Sequence, residues 1–532
     1  MPRMFGRAAM GSAVAVAVVA VTLRFWRITW GLFDGTRFPD EMIFSFMTAQ
    51  FVPLTWRSFD LHNFTYPALY TYIAGLATAA AYALGLHQGL PGGFSPSTIL
   101  VLRLVSSAAG VAGVVVVGVL GARLYGSRWV GLAAAAFLAV APLHAMHSHI
   151  AATDELLTTC VTLALLAAYL LALRGTVSSA LLAGLAVGLC FAAKQPGLVA
   201  LAPVGWAVLE AAARARSVVR LAVLGFTAAG SFVAAYTVLC PPCVLHWDQM
   251  LGVMQLHHAL NVSLGMGFTN NHLVPTLGWY GRPYLYQLVA TLPYSLGWPL
   301  YALALVGVGI ALWRHELADR ILLALLVPYF VQMAGGHTVF PRFMLPIFPV
   351  LVVFAARAAC MLRRATGVAV FAAVFAYSLA LAGTQIARFS ANEQRELAQW
   401  IVAHNAQRSE GGATPVRVGV ACVMKRLDYF QIAYPLGKAG LVYVPLEDGH
   451  WFDDPPDVFV LPEWREIGYH RDKPGSPAEH ALDELQSGAA GYHLAKRWRS
   501  WFLQRDFYTW LDPAFAGDLW QGEIGFSVYV RE

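Results

Sequence analysis

The chain carries a series of long apolar runs, and the loops between them alternate sharply in arginine content. A run of roughly 17 or more apolar residues is long enough to cross a bilayer as a helix. Such runs fall at approximately 8–26, 98–121, 129–148, 156–173, 177–193, 196–212, 218–239, 285–312, 321–336, 341–357 and 366–384. One further run, Pro67 to Leu86, is ambiguous by hydropathy alone. Charge placement decides it. Put Arg3 and Arg7 inside and let 67–86 stay on one side. Then Arg123, Arg128, Arg174, Arg214, Arg216, Arg220, Arg314, Arg320, Arg357, Arg363 and Arg364 all fall in inner loops. A crossing at 67–86 would put those arginines outside, against the positive-inside bias. The expectation is a mainly α, polytopic membrane protein with about 11 transmembrane helices. Residues 27–97 then form one large outer loop. Tyr66, Tyr70, Tyr72 and Tyr82 suit an interfacial helix over 67–86.

Composition points the same way. The chain is 58% hydrophobic and 12% charged, whereas soluble proteins carry roughly 25% charged residues. Mean hydropathy is +0.57. Arg3 and Arg7 before the first apolar run resemble a signal peptide, but no small-x-small cleavage site follows, so an uncleaved first helix is expected. Beyond Thr384 the sequence becomes mixed and charged. A helix over 391–405 and strands at 416–420, 440–444 and 457–461 predict a small α/β domain over 385–532, outside the membrane. Cys240 and Cys243 read as two helix-end residues, with a disulfide as the alternative.

The topology gathers polar residues on the outer face. Asp40 and Glu41 follow Pro39 in the large outer loop, and a carboxylate at an interface can deprotonate an acceptor. The alternative is a solvated turn. His147, His149, Asp154 and Glu155 lie where one helix ends and the next begins. Thr153 or Asp154 as an N-cap accounts for part of that pattern. Asp154, Glu155 and His149 are candidate ligands for a divalent cation. Lys194 lies between two apolar helices, before Pro196 and Gly197. It is either a snorkelling lysine or a phosphate ligand helped by the next helix N-terminus. Arg342, at the mouth of a later helix, is a phosphate ligand or an interfacial anchor. Arg24, Arg27 and Arg103 are further candidates to face the cavity. His257, His258, His272, Tyr280 and Arg282 in the long outer loop are candidates for substrate contact.

The order of these segments resembles a family. Phe38-Pro39-Asp40-Glu41, then Phe64-Thr65-Tyr66-Pro67, is similar to the opening of the membrane glycosyltransferases with the C-type fold (GT-C). His147 through Asp154 resembles that family's second outer-loop motif, Gly184 through Lys194 its glycine-rich helix, and Phe340 through Pro346 its later arginine-aromatic segment. Protein O-mannosyltransferases and the bacterial lipid A aminoarabinose transferase are nearest in pattern. The resemblance covers roughly 10–385 and implies transfer of a sugar from a polyprenyl phosphate to a protein, lipid or polysaccharide on the periplasmic side. By the same resemblance Asp40 is the base, Asp154 the second acidic residue, and Lys194 the family's lysine. Glu41 is placed beside the base. Arg342 and Arg103 join Lys194 as donor-phosphate ligands, and Tyr66, His147, His149, His258 and Arg282 are expected substrate contacts. Relatives often carry His where Phe38 stands, which leaves any acceptor- or metal-positioning role there vacant or passes it to His62, His147 or His149. The expected location is a bacterial inner membrane, with a cytoplasmic N-terminus and a periplasmic C-terminal domain. The rival reading is a transporter or flippase of a lipid-linked sugar. It fits the many helices but not charges gathered at one face.

Overall fold

The computed structural model describes residues 7–32, 39–86, 95–259, 283–335, 340–389, 393–406, 416–421, 436–437, 440–446, 451–462, 477–498 and 525–531. Two compact units are present. The first contains Met1–Ile28, Ile43–Met266 and Pro283–Ile386, and the second groups Thr29–Met42 with Ala387–Glu532.

The helices run in order as α1 (Arg7–Phe25), α2 (Pro39–Ala49), α3 (Leu69–Ala83), α4 (Pro96–Tyr125), α5 (Arg128–Ala139), α6 (Pro142–His147), α7 (Asp154–Arg174), α8 (Val177–Ala193), α9 (Leu201–Ala215) and α10 (Val218–Leu239). Then come α11 (Pro241–Leu245), α12 (Trp247–Ala259), α13 (Pro283–Tyr286), α14 (Leu292–Leu296), α15 (Trp298–Arg314), α16 (Leu317–Ala334), α17 (Phe348–Met361) and α18 (Arg364–Ala387). Among the described residues, seven helical segments are long and apolar enough to cross a membrane. The number is eight if Tyr284–Leu296 and Trp298–Arg314, bent by 119°, form one broken span. Shorter apolar helices cover Met10–Phe25, Arg128–Ala139 and Val177–Ala193.

The departures from eleven uninterrupted runs have local causes. The apolar run 129–148 is split because Pro142 cannot continue a helix from α5, and Ala141 before it is extended at φ −64°, ψ 116°. Gly297, at φ 81°, breaks the run 285–312 between α14 and α15. α3 has 15 residues, fewer than the roughly 20 a perpendicular span needs. α8 and α10 approach backbone to backbone. A Cβ on Gly184 would lie 2.1 Å from the Ala228 carbonyl oxygen, so only glycine permits this small-residue contact.

The arginines of the short basic loops are tied to helix ends. Gly175 closes α7 at φ 56°, and Arg220 Nη2 donates to its carbonyl at 2.7 Å. Arg214 Nη1 donates to Ala172 O at 3.1 Å. Cations there satisfy orphan carbonyls and oppose the negative end of the helix dipole. Nearby, Glu210 pairs with Arg320 at 3.1 Å. Asp319, fully buried, pairs with Arg357 and accepts from Tyr125 Oη at 2.7 Å.

In the second unit five strands form one sheet: β1 (Arg417–Ala421), β2 (Val442–Leu446), β3 (Val458–Pro462), β4 (Tyr492–Trp498) and β5 (Phe526–Arg531). The order is β2-β1-β3-β5-β4. β1 runs parallel to β2 and β3, and β5 is antiparallel to β3 and β4. Alternation places Val458 and Val460 on one face with Val528, Val530, Leu397 and Ile401. It places Phe459 and Leu461 on the other with Trp451, Leu482 and Tyr529. Helix α19 (Glu393–Ala406) thus covers one face and α20 (Pro477–Ser487) the other. The first three strands follow the sequence reading to within two residues. β4 escaped it because this edge strand is mostly exposed and carries Lys496 and Arg497, charges that discourage edge-to-edge pairing.

Removal of one partner from a buried ion pair strands the other and costs about 3–5 kcal/mol. Asp319→Ala is therefore expected to lower the thermal unfolding midpoint of the detergent-purified protein. Asp319→Leu with Arg357→Met should recover most of the loss. An unchanged midpoint in the single variant would remove the pair from the list of structural anchors.

Candidate functional site

The site begins where α8 ends. Lys194 is extended, at φ −161°, ψ 143°, although its backbone N–H still donates to Cys190 O at 3.1 Å. A 3-10 turn, Gln195–Ala200, follows with Pro196 in its first positions. The turn packs hard against α8. A Cβ on Gly197 would stand 2.2 Å from the Cys190 carbonyl oxygen. The Lys194 side chain leaves this corner and reaches the start of α7, where Nζ lies 2.7 Å from Asp154 Oδ1. The two side chains are 12% and 4% exposed. Thr153, which precedes α7, makes no side-chain cap. The carboxylate of Asp154 is thus engaged by a lysine from another helix, and capping does not explain it.

Aromatic rings wall this pair. Lys194 Nζ is 5.9 Å from the centroids of both Tyr66 and Phe343. Tyr66 packs on Phe44, with centroids 4.9 Å apart. Its segment is anchored by Gln195 Nε2, which donates to Thr65 O at 3.1 Å. Phe343 belongs to a 3-10 segment, Pro341–Ile347, whose carbonyl at Phe343 accepts from Tyr329 Oη at 2.9 Å. The Arg342 guanidinium lies 4.1 Å from the Phe340 centroid and 5.8 Å from that of Phe343. Three sequence motifs, Phe64-Thr65-Tyr66, Asp154 with Lys194, and Phe340 through Phe343, therefore meet in one place. A lysine ammonium has three N–H donors. One is given to Asp154, and the others suit an anionic ligand.

Behind Asp154 runs a second buried chain of groups. Arg24 Nη2 lies 2.8 Å from His144 Nδ1, and His144 Nε2 lies 3.1 Å from Glu155 Oε2. Arginine only donates, so Nδ1 accepts and the ring proton is on Nε2, within ion-pair range of Glu155 but not aligned for a hydrogen bond. Arg24 also donates to Ala139 O at 3.0 Å and Leu138 O at 3.1 Å. His144 escaped the sequence reading. Its only signal was its place three residues before His147 in the same short helix.

The other expected residues are placed as follows. Arg103 is fully buried, and Nη1 donates to Ile28 O at 3.2 Å, which ties α4 to the turn after α1. His149 is buried with ring nitrogens 2.9 Å from Ala145 O and 2.8 Å from Trp26 O. Both bonds go to backbone and hold the turn between α6 and α7. His147 is buried at the end of α6. Asp40 and Glu41 are in the first turn of α2, both buried, where the helix dipole favours carboxylates. Arg282, His272, Tyr280 and Phe38, and the side chains of His257 and His258, lie outside the described residues. Cys240 and Cys243 are paired as a disulfide with Cα atoms 5.5 Å apart, which corrects the helix-end reading. The expected cation ligands Asp154, Glu155 and His149 each take the partners given above. Among the described residues, Asp60, His62 and His246 converge as a trio of His and carboxylate side chains.

A family profile, dolichyl-phosphate-mannose-protein mannosyltransferase, matches residues 94–240. That stretch carries Arg103, His144, Asp154, Glu155 and Lys194. No curated protein matches the chain in sequence. Among solved structures, the Archaeoglobus fulgidus oligosaccharyltransferase aligns over 90% of this chain and 70% of its own, at 14% identity and TM-score 0.51. ArnT from Cupriavidus metallidurans bound to undecaprenyl phosphate aligns over 98% of each chain, at 14% identity and TM-score 0.48. The S. cerevisiae protein O-mannosyltransferase complex aligns over 53% of this chain and 37% of its own, at 19% identity and TM-score 0.36. The archaeal likeness shows the fold alone. With the family profile, it supports a membrane glycosyltransferase of the C-type fold.

His144→Ala removes the link between Arg24 and Glu155 and leaves two buried charges poorly matched. Loss of a bond to a charged group costs about 1.5–3 kcal/mol. His144→Gln, whose amide accepts and donates at once, is expected to restore most of the lost unfolding midpoint. Equal midpoints for the Ala and Gln variants would show that this chain of groups contributes nothing.

Proposed function

We propose that this protein transfers a sugar from a polyprenyl-phosphate donor to an acceptor, with inversion at the anomeric carbon. One observation carries the reading: Lys194 is held by Asp154 at a corner framed by Tyr66 and Phe343, with Arg342 on the same aromatic wall. A phosphate is the ligand such a corner suits. Two cations offer donors to its oxygens, one carboxylate fixes the ammonium, and the rings keep water sparse. A polyprenyl carrier brings a phosphate to the depth of a bilayer, and an apolar bundle of this kind accommodates its tail.

The chemistry follows. The acceptor oxygen or nitrogen attacks the anomeric carbon from the face opposite the phosphate, and its proton passes to a carboxylate base. The bond between the anomeric carbon and phosphate oxygen breaks with its electron pair on that oxygen. Lys194 and Arg342 stabilise the charge that develops there. The proposed base is Asp40, with Glu41 adjoining it. Asp154 positions Lys194 in place of contacting the sugar directly. The basic loops are assigned to the cytoplasmic side by the positive-inside bias. That assignment sets the Lys194 end and the α/β unit on the periplasmic side of a bacterial inner membrane. Protein, glycolipid and polysaccharide acceptors are all compatible with this site.

The test is turnover of a labelled polyprenyl-phosphate sugar in detergent. Asp40→Asn is expected to abolish release of polyprenyl phosphate while the protein still purifies and folds. Near-wild-type turnover would remove Asp40 as the base. Lys194→Met is expected to lower kcat/KM for the donor about 10–100-fold, the equivalent of a lost charge-assisted bond of about 1.5–3 kcal/mol. Movement of the donor across liposomes without phosphate release would favour the transporter reading.

A further inference from the structure

Asp60, His62 and His246 belong to two segments far apart in sequence, yet one ligand atom from each lies within 4.8 Å of the others. His62 Nε2 is 3.4 Å from Asp60 Oδ2, and His246 Nε2 is 3.9 Å from Asp60 Oδ1. The two imidazoles lie with centroids 5.5 Å apart and planes tilted by 53°. Zinc binds His nitrogen and carboxylate oxygen at about 2.0–2.2 Å, so tetrahedral ligand atoms stand about 3.3 Å from one another. The Asp60–His62 separation already matches that edge. The remaining closure is small for side chains that are 68%, 45% and 33% exposed for His62, Asp60 and His246.

The backbone beneath these ligands is fixed. Asp60 closes a 3-10 turn, Trp56–Phe59. That turn is braced by Ser58 Oγ donating to Gln50 O at 2.8 Å and by Gln50 Nε2 donating to Ser58 O at 3.0 Å. Phe59 is packed by Phe51 and Tyr72, with centroids 5.4 and 5.3 Å away, and its carbonyl accepts from Tyr72 Oη at 2.6 Å. His246 follows α11, which the Cys240–Cys243 disulfide ties to the end of α10. The Ala68 N–H donates to Cys240 Sγ at 3.3 Å, a second link between the same two loops. Phe64, two residues before Tyr66, has its ring 5.9 Å from that of His246.

We infer that Asp60, His62 and His246 form a binding site for a borderline divalent transition ion, Zn2+ above all, that clips the loop after α2 to the loop after α10. Two imidazoles and one carboxylate are the donor set such ions prefer, and a hard ion such as Mg2+ or Ca2+ would want more oxygens. The clip stabilises the Phe64-Thr65-Tyr66 segment and through it the ring beside Lys194. The inference stands apart from sugar transfer, because ion binding is read without turnover.

The experiment uses the full-length detergent-purified chain with a non-histidine tag, stripped with chelator and titrated with Zn2+. Bound zinc is measured by mass spectrometry after desalting. Co2+ substitution reports ligand geometry by its visible absorption. The expected result is one Zn2+ per chain, a raised unfolding midpoint on zinc addition, and a tetrahedral Co2+ band. Asp60→Asn and His246→Gln should each weaken binding at least tenfold, the usual size of such losses or more. They should also remove the midpoint shift while leaving the zinc-free midpoint unchanged, since the side chains are exposed. Equal zinc content in wild type and both variants, or no saturable binding at micromolar zinc, would overturn the site. An absorption spectrum typical of six oxygen ligands would overturn it as well.

Discussion

A lysine and an aspartate held together inside an apolar helix bundle set terms that much of the membrane unit must meet. Either charge alone at that depth is costly, because the surroundings offer little solvation. The pair is tolerable only at short distance and with its remaining donors in use. For Lys194 to reach Asp154, α8 must stop at Ala193, and the chain must turn within one residue. Gly197 must pass against the Cys190 carbonyl without a side chain. The start of α7 must also remain free of the ordinary Thr153 cap. The walls follow from the same demand. Tyr66 and Phe343 exclude water from the ammonium, and each is held by its own hydrogen-bonded segment. The corner is thus formed before any ligand arrives, which is the condition under which fixed charges stabilise a developing one at little cost.

The two ends of the bundle use the same residue types for different purposes. At the basic end, Arg214 and Arg220 donate to helix-terminal carbonyls, and Arg357 neutralises a buried aspartate. Arg103 and Arg24 are buried too, and each donates to backbone carbonyls. Arg342 has its face on aromatic rings. A guanidinium also stacks on aromatic faces, a geometry an ammonium does not share. What separates one arginine from another here is its partner, which for Arg24, Arg103, Arg214, Arg220 and Arg357 comes from elsewhere in the chain and for Arg342 is the adjoining aromatic pair.

That distinction explains what the sequence reveals and what it conceals. Hydrophobic periodicity and arginine placement are properties of contiguous segments, so the helical class and the sheet strands with alternating valines are legible. So is the convergence of Tyr66, Asp154, Lys194 and Arg342, because topology alone puts their segments at one end. Arg103 and His149 were legible as polar groups near that end but not as backbone ties, since nothing local marks Ile28 O, Ala145 O or Trp26 O as their acceptors. His144 was invisible because its partners, Arg24 and Glu155, come from two other helices. Asp60 and His246 were invisible for the same reason, and only the fold brings their loops together. The split at Pro142 is a milder case. The proline was in view, but an apolar run with one proline still satisfies a length criterion while the backbone does not.

The physical demands of the two halves of a transfer reaction differ in a way this fold reflects. Recognition of a phosphate requires little: an ammonium, a guanidinium, a fixed counter-charge and dry walls. These constrain helix ends strongly, because each must be compensated in a medium of low dielectric. Recognition of a sugar or acceptor depends on hydrogen bonds to hydroxyls at a wetter surface. A wrong partner there leaves polar groups unpaired, which gives discrimination without any large cost to the fold. On the proposed function, the donor side of the site is therefore written into the packing of α7, α8 and the Phe340–Phe343 segment. Specificity for sugar and acceptor can change through exposed loop residues while the Lys194 corner stays intact.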